Sequence, residues 1–291
     1  MHQYHVAITI DDNYIQHACV MLQSLNEHAI SPIEVYCISD NLSDGSKNIL
    51  KNHFKKSKLT ISFVGFNPGS LPQLPIKHTD HVSAATFFRI WLPQLLPHVK
   101  QVLFLDTDIL INNDLSSVFN LNIDNYPIAA VPDLGASIEK KTQLGIHAHK
   151  LYFNAGVMLV NLDYFRKHHL TRQLAHFIST KPELCEFWDQ DALNAIISGN
   201  FLELHPRFNL QSTTYDYKGT KGVDEAIANP AIVHFTGGGS CKPWFYQNQH
   251  PLKYLYYQNL KKTPFRFFYP ADLPRSWHFL RKLKHLIKYS L

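Results

Sequence analysis

The stretch VLFLDTDILINN, residues 102–113, decides how this chain folds. Its apolar first half is typical of a buried strand, and Asp106 and Asp108 stand where that strand ends. Alternate residues of an extended chain point to the same side, so both carboxylates can face one hard cation. A cation held by two carboxylates keeps open positions that can bridge the oxygens of a diphosphate. Taken alone, Asp-x-Asp is also common in polar turns.

The residues before this stretch alternate between apolar strands and segments of helical periodicity. Strands are predicted at Tyr4–Ile10, Ile33–Ile38, Thr60–Phe66 and Gln101–Leu105, and helices at Tyr14–His28, Ser43–Lys55 and Ala84–Leu96. This alternation predicts an α/β fold, in which ligands bind beyond the carboxyl ends of the strands. Asp11 and Asn13 directly follow the first strand, so both acidic clusters are expected at one edge. Asp11 and its neighbours can also cap the helix that follows.

Polar residues interrupt apolar segments again in the second half of the chain. Asn154 and Gly156 stand at the mouth of an apolar strand that runs to Asn161. Asp189 and Gln190 then open a predicted helix, where Asp189 is either the helix cap or part of a catalytic neighbourhood with Gln190. Both roles remain open at this point.

A third polar cluster follows the strand predicted at residues 232–236. His234 lies in this strand, and a glycine-rich loop leads from it to Lys242. A loop of this kind can wrap phosphates. A single histidine after a strand is commonly structural, but the Asp-x-Asp pair needs a third ligand, and imidazole nitrogen suits that position.

The composition is that of a globular protein. The 291 residues are 45% hydrophobic, which is enough to bury a full core. The 4 cysteines form no Cys-x-x-Cys pair and therefore indicate neither a disulfide framework nor a zinc site. The first residues lack a basic start followed by a long apolar stretch, and no apolar run is long enough to span a bilayer. We therefore expect a cytoplasmic protein.

Positive charge is concentrated in residues 261–291, which contain eight Lys and Arg residues against Asp272 as the single acid. Aromatic side chains are mixed with these cations, and Leu280, Leu283 and Ile287 recur at helical spacing. Such a segment can lie on an anionic membrane surface. We therefore predict a catalytic domain over 1–260 and a basic amphipathic membrane-association segment over 261–291. Packing of this helix on the protein body is the main alternative, and nucleic-acid binding ranks lower.

Together these motifs resemble glycosyltransferase family 8, in particular its bacterial lipooligosaccharide and lipopolysaccharide galactosyl- and glucosyltransferase branch. The matching segments follow the family's order: Asp11–Tyr14, Thr86–Arg89, Phe104–Asp108, Tyr152–Gly156, Asp189–Asp191 and His234–Trp244. The resemblance implies a Rossmann-like GT-A nucleotide-sugar domain with a mixed central sheet. It also implies a Mn²⁺ or Mg²⁺ ion and retaining transfer of galactose or glucose from a UDP-sugar to a glycan or glycolipid acceptor. Such an enzyme would lie on the inner face of the cell membrane, with no nucleic-acid partner.

The resemblance also assigns roles to individual residues. It implies that the metal ligands are Asp106, Asp108 and His234. It implies further donor contacts from Thr9, Asp11, Asn13, Arg89, Thr107, Asn154, Gly237 and Lys242. Asp133, Asp189 and Gln190 would surround the reacting sugar, and His81 and the Asp133 region would face the acceptor. The three consecutive glycines at 237–239 depart from the family's pattern, because they lengthen the stretch between His234 and Lys242.

The expected chemistry follows from charge. UDP leaves with developing negative charge, which a divalent cation and Lys242 would stabilise more in the transition state than in the ground state. Retention requires either a covalent nucleophile or attack by the acceptor on the face that the phosphate leaves. The neutral amide of Gln190 is a poor nucleophile. We therefore favour the front-face route with the leaving phosphate as base, and Asp189 is the covalent alternative.

Two other functions fit parts of the pattern. A haloacid-dehalogenase-like phosphatase also places Asp-x-Asp after a strand, but it prefers Thr or Val where this chain has Leu110, and an earlier position in the domain. A sugar-nucleotide-binding protein without transfer activity would keep the donor residues alone. Hydrolysis of a UDP-sugar without acceptor separates an enzyme from such a binder.

Overall fold

Strands and helices alternate along the chain in the computed structural model, which describes residues 4–67 and 84–274. The strands are β1 Tyr4–Thr9, β2 Ile33–Ser39, β3 Leu59–Gly65, β4 Gln101–Leu105, β5 Ile109–Ile111, β6 Ile128–Pro132, β7 Phe153–Asn161, β8 Leu202–Glu203, β9 Leu210–Gln211 and β10 Ile232–His234. The α-helices are α1 Ile15–His28, α2 Asp44–Phe54, α3 Leu92–Leu95, α4 Ser116–Phe119, α5 Ile138–Gln143, α6 Leu162–Lys167, α7 Leu170–Thr180, α8 Trp188–Ile197, α9 Val223–Ala228 and α10 Lys253–Leu260. The predicted early strands and the first two helices are confirmed to within a residue or two.

The central sheet of the described residues is mixed, in the order β3-β2-β1-β4-β7-β6-β8. Strands β1, β2, β3 and β4 run parallel, whereas β7 is antiparallel to both β4 and β6. A smaller sheet has the order β5-β10-β9. Because β1 and β4 are parallel neighbours, the residues that follow them meet at one edge of the sheet.

Alternating side chains supply two hydrophobic layers, one on each face of the central sheet. Val6 and Ile8 of β1 pack on one face, whereas Ala7 packs on the other together with Phe104 of β4. All nine residues of β7 are buried. Strands covered on both faces form a rigid frame, which fixes the positions of the polar residues at its edge.

The helix predicted over Ala84–Leu96 forms, but it contains two kinds of helical winding. Residues Ala84–Trp91 form a 3₁₀-helix, and the α-helix α3 begins only at Leu92. Pro93 has no N–H to donate, so one α-helical hydrogen-bond ladder cannot run through this segment. The tighter winding leaves both Phe87 and Phe88 in the core.

The described part of the C-terminal segment packs on the protein body. Phe265 and Phe268 contact the cluster that contains Trp244, and Lys262 forms an ion pair with Glu27 at 2.7 Å. No helix among the described residues has the length and apolar content needed to cross a membrane. The helical pattern predicted beyond residue 274 lies outside the described residues, so the boundary at residue 261 stays a prediction.

Candidate active site

One cavity of about 1110 Å³ lies at the edge of the central sheet where β1 and β4 end. Every predicted site residue that the structure describes lines it: Thr9, Asp11, Asn13, Arg89, Asp106, Thr107, Asp108, Asp133, Asn154, Asp189, Gln190, His234, Gly237 and Lys242. His81 lies outside the described residues. A second cavity of about 910 Å³, on the side where β1 and β4 begin, contains none of them. The cavity thus collects the predicted side chains, whose individual roles remain predictions.

A possible metal site lies within this cavity. Ligand atoms of Asp106, Asp108 and His234 all lie within 4.8 Å of one another. The Nε2 atom of His234 is 3.4 Å from Oδ1 of Asp108 and 3.9 Å from Oδ2 of Asp106. Two carboxylates and one imidazole form a donor set that suits a divalent ion such as Mn²⁺. These residues therefore fit the metal that the motif predicts.

Gly156 of β7 makes room for this cluster. A Cβ atom at this position would lie 2.3 Å from Cε1 of His234 and 2.7 Å from Oδ2 of Asp106. No side chain can occupy that space without moving both candidate ligands. Glycine at this position therefore allows the two candidate ligands to lie directly against β7.

His234 is held from behind by a buried asparagine. Its Nδ1 atom lies 2.9 Å from Oδ1 of Asn209, which is fully buried. The amide nitrogen of Asn209 in turn donates to Oδ1 of Asn154 at 2.9 Å. A hydrogen bond to the far ring nitrogen orients a histidine toward a metal.

Hydrogen bonds continue from Asn154 across the cavity wall. Asn154 donates to Oε1 of Gln190 at 3.2 Å, and Gln190 donates to the Tyr152 hydroxyl at 3.1 Å. Tyr152 donates to Asp191 at 2.8 Å, and Lys140 pairs with the second oxygen of Asp191 at 2.9 Å. Gln190 is therefore joined to the candidate metal ligand His234 by one continuous chain of hydrogen bonds.

Arg89 connects the Asp-x-Asp pair to helix α8. Its Nη2 atom is 3.2 Å from Asp106, and its Nε atom is 2.8 Å from Oδ2 of Asp189. Asp189 is the second residue of α8 and makes no capping hydrogen bond, so the capping role left open for it is wrong. Burial raises the pKa of Asp189 to about 7, although the neighbouring Arg89 guanidinium acts in the opposite direction.

Lys242 reaches the same cluster from the glycine-rich loop. Its ammonium group contacts Asp108 and donates to the Phe235 carbonyl at 3.0 Å. Burial disfavours ionisation of Asp108, but Lys242 and His234 outweigh it and hold the pKa of Asp108 well below its usual range. Gly237 has a φ of 93°, a conformation that glycine adopts without strain.

Asp11 and Asp133 mark two other positions on the cavity wall. Oδ1 of Asp11 accepts the N–H groups of Asn13 and Tyr14 at 2.9 and 3.1 Å, which shapes the turn into α1. Oδ1 of Asp133 accepts the N–H of Gly135 at 3.0 Å. Burial raises the pKa of Asp133 above its ordinary value.

Sequence reasoning missed two residues that support the site. Asn209 holds His234, and Lys140 neutralises Asp191, yet neither follows a predicted strand. No local pattern distinguishes Asn209 from an ordinary polar loop residue. The lysine could have been found only by asking which cation balances Asp191.

Comparison with known proteins agrees with this geometry. The family model described as Glycosyl transferase family 8 matches residues 5–248. The chain belongs to glycosyltransferase family 8. Family membership confirms the predicted transferase class and leaves the phosphatase alternative without support.

Individual family 8 relatives cover most of the chain. General stress protein A of Bacillus subtilis (strain 168) is 31% identical over 272 residues, which is 89% of this chain and 93% of that protein. The lipopolysaccharide 1,2-glucosyltransferase of Escherichia coli (strain K12) is 27% identical over 296 residues, with 97% and 85% covered.

A solved structure gives the same fold. The galactosyltransferase LgtC, in complex with donor and acceptor sugar analogs, superposes with a TM-score of 0.81 at 22% identity. The match covers 94% of this chain and 99% of that chain. The predicted GT-A fold with a mixed central sheet is therefore confirmed.

Proposed function

We propose that this chain is a metal-dependent, retaining hexosyltransferase that moves galactose or glucose from a UDP-sugar to a glycan acceptor, namely the core of lipooligosaccharide or lipopolysaccharide. The observation that carries this proposal is the cluster of Asp106, Asp108 and His234 beside Lys242 in the family 8 cavity. The acceptor class is supported by the Escherichia coli relative, which is named a lipopolysaccharide 1,2-glucosyltransferase.

The donor end of the site is built for a diphosphate. Asp106, Asp108 and His234 would hold Mn²⁺ or Mg²⁺, and the bound ion supplies positive charge opposite the departing UDP. Lys242 follows a glycine-rich loop and adds a second positive charge beside Asp108. Thr9, Asp11 and Asn13 line the part of the cavity proposed for uridine.

The sugar end supports the front-face route to retention. Oε1 of Gln190 already accepts hydrogen bonds from the Ala155 N–H at 2.9 Å and from Asn154 at 3.2 Å, so its role is to position the sugar. The Asp189 side chain is only 3% exposed and pairs with Arg89, which leaves it poorly placed for covalent attack. The leaving phosphate then acts as the base for the acceptor hydroxyl.

Membrane attachment is the second part of the proposal. Phe267 is 67% exposed and Tyr254 is 53% exposed, and the cations Lys261 and Arg266 are also exposed. Exposed aromatics beside cations suit the headgroup region of an anionic bilayer. We place the protein on the inner face of the membrane, where a growing glycolipid acceptor would be found.

The decisive experiment measures UDP release from a panel of UDP-sugars, with Mn²⁺, with Mg²⁺ and with a chelator. We expect metal-dependent turnover of UDP-galactose or UDP-glucose, which would also identify the donor. UDP-sugar binding by calorimetry without any turnover would instead favour the binding-protein alternative. A folded protein that neither binds nor turns over a sugar nucleotide would overturn the proposal.

Membrane attachment is tested by removing residues 275–291, which leaves the packed residues Phe265 and Phe268 in place. The shortened chain keeps the exposed Phe267 and Arg266, so we expect it to bind anionic vesicles more weakly than the full chain and to keep turnover of a soluble acceptor. Neutral vesicles serve as the control for charge. Equal vesicle binding by both chains would contradict the role of the tail.

A further inference from the structure

The chain segment that follows α10 is joined to the loop that carries Lys242. Asp272 accepts the backbone N–H groups of Tyr246 and Gln247 at 2.6 and 2.9 Å. These contacts span 26 and 25 residues of sequence. A hydrogen bond that accepts on a carboxylate is stronger than one between neutral groups. Asp272 therefore fixes backbone that lies four and five residues beyond Lys242.

A second set of hydrogen bonds carries this constraint back toward Lys242. The side chain of Asn248 donates to the carbonyls of Ser240 and Cys241 at 3.1 and 2.7 Å. Lys253 of α10 donates to the carbonyls of Tyr246 and Asn248 at 2.7 and 3.2 Å. The turn directly before Lys242 is thus tied to Asn248, and Asn248 adjoins the two residues that Asp272 holds.

Hydrophobic contacts hold the segment that carries Asp272 against the protein body. Phe268 packs against the cluster that contains Trp244, and its ring lies 6.3 Å from His17, edge to face. Thr263 is almost fully buried. Asp272 therefore lies on a segment that is itself packed on the protein body. It can restrict the loop for that reason.

The loop needs such support because of its sequence. Gly237, Gly238 and Gly239 precede Lys242, and glycine loses more backbone freedom on ordering than any other residue. Gly237 and Gly239 both have positive φ. Without contacts that restrict it, this loop would hold the ammonium group of Lys242 near Asp108 for a smaller fraction of the time.

We propose that Asp272 is a positioning residue for Lys242. It fixes the backbone at residues 246–247 and, through Asn248, the turn at residues 239–241, so that Lys242 stays aimed at the metal-side carboxylates. This inference rests on the proposed function only in taking Lys242 as a donor-phosphate contact. Its consequence is that the first part of the basic tail helps to set the affinity for the sugar nucleotide.

The first test follows the loop itself and needs no turnover. The backbone N–H groups of Cys241 and Lys242 donate to the carbonyls of Gly238 and Gly239 at 3.1 and 3.0 Å. The rate of hydrogen–deuterium exchange at these two amides therefore reports how often the turn opens. In Asp272→Ala we expect this exchange to be about threefold faster than in the unmodified chain. Exchange at the amides of β1, in the central sheet, shows whether the substitution also loosens the fold as a whole.

Asp224→Ala is the matched control. Asp224 is also exposed and accepts the N–H of Gly219 through both oxygens, at 3.1 and 3.2 Å, but it lies outside the donor cavity. We expect unchanged exchange at the amides of Cys241 and Lys242 in this variant. Asp272→Asn keeps one acceptor oxygen, so it should fall between Asp272→Ala and the unmodified chain, and it replaces the alanine variant if that variant fails to fold.

The second test is a double-mutant cycle on donor turnover. Asp272→Ala should raise the KM for the UDP-sugar about fivefold, and this effect should vanish in a Lys242→Met background. A purely structural role would give the same loss in both backgrounds.

The outcomes separate this inference from the proposed function. Unchanged exchange at the amides of Cys241 and Lys242 in Asp272→Ala would overturn it, as would a KM effect that persists without Lys242. If no UDP-sugar is turned over, the proposed function fails, and the exchange rates alone decide whether Asp272 holds the loop.

Discussion

The cavity has two ends that different interactions hold in place. The metal end surrounds Asp106 and Asp108, and the sugar end surrounds Asn154 and Gln190. At the metal end, the carboxylates Asp106 and Asp108 are matched by the cations Arg89 and Lys242. At the sugar end, neutral amides are matched by the backbone of β7, since the N–H groups of Ala155 and Gly156 bond to Gln190 and Asn154 at 2.9 and 3.0 Å.

This difference predicts that the two ends affect different properties, ligand affinity at one and turnover at the other. In the proposed function, a metal ion and a diphosphate would replace the ion pairs that now join Asp106 to Arg89 and Asp108 to Lys242. The amides of Asn154 and Gln190 would keep their hydrogen bonds to the β7 backbone when the donor binds. Substitutions at the metal end should therefore change metal and donor affinity, whereas those at the sugar end should change turnover.

The largest effect is expected for Asp108→Ala, which removes a candidate ligand and the partner of Lys242. UDP-sugar turnover should fall about 1,000-fold or more, because charge stabilisation of the leaving group is lost. Binding of Mn²⁺ in the presence of UDP, followed by electron paramagnetic resonance, should be lost as well. Asp124→Ala, an exposed acid at the second cavity, is the control and should keep both. Full Mn²⁺ binding by Asp108→Ala would remove Asp108 from the ligand set.

The next effect is expected for Gly156→Ala, because the added Cβ would meet both His234 and Asp106. Metal affinity should fall about 100-fold while the fold is kept, because the candidate ligands His234 and Asp106 would be displaced. Gly65→Ala is matched to it, since nothing lies within 4 Å of a Cβ at that position. Unchanged Mn²⁺ affinity in Gly156→Ala would show that the three candidate ligands can move without loss of binding. It would contradict the expectation that substitutions at the metal end change metal affinity.

A smaller effect is expected for Gln190→Ala at the sugar end. Turnover should fall roughly 30-fold without being abolished, because a positioning contact is lost and no charge is removed. The KM for the donor and the affinity for Mn²⁺ should change little. Gln173→Ala, on the exposed face of α7, controls for the loss of an amide. Complete loss of turnover with intact donor binding would argue for a direct chemical role of Gln190.

The smallest effect concerns stability rather than activity. His17 stacks on Trp244 at 3.6 Å beneath the metal end, and burial lowers the pKa of His17 to about 3, with Asp108 and Lys242 acting in opposite directions. His17 of the unfolded chain takes up a proton near pH 6.5, whereas His17 of the folded chain does so only near pH 3. The contribution of neutral His17 to the free energy of unfolding is therefore fully present above the unfolded pKa and decreases as the pH falls between these two values.

His17→Phe should keep the stacking and remove this titration. One pH unit below the unfolded pKa, the acid-dependent loss of unfolding free energy should be about 1.4 kcal/mol smaller in the variant. Urea titrations at neutral and mildly acidic pH measure this difference. Identical pH dependence in both chains would mean that His17 is not a neutral ring in the folded state.

The metal end was easier to predict from sequence than the sugar end. Asp106 and Asp108 follow β4 directly, and His234 ends β10, so strand prediction and charge chemistry brought these residues together. Asn209 gave no such signal, because its burial arises only when β9 pairs with β10. The helix that carries Arg89 was predicted, but its 3₁₀ winding was not, because an apolar helical pattern does not distinguish a 3₁₀-helix from an α-helix.

The contact between Asp272 and the Lys242 loop was also invisible in sequence. Composition identified residues 261–291 as a basic tail, but it did not show that the first part of the tail packs on the body. Long-range contacts of this kind depend on the final packing of several elements rather than on any local pattern.

The hydrogen-bond chain along the cavity wall has a direction. Asn209 donates to Asn154, Asn154 to Gln190, Gln190 to Tyr152, and Tyr152 to Asp191, whose carboxylate can only accept. The backbone N–H groups of β7 fix this direction, because they require oxygen atoms on Asn154 and Gln190 where they donate. Oδ1 of Asn209 is therefore left to accept from His234, which sets the proton on Nδ1. The hydrogen bond to Asn209 thus leaves Nε2 of His234 facing Asp106 and Asp108, so the same wall that holds Gln190 also aims the imidazole at the candidate metal site.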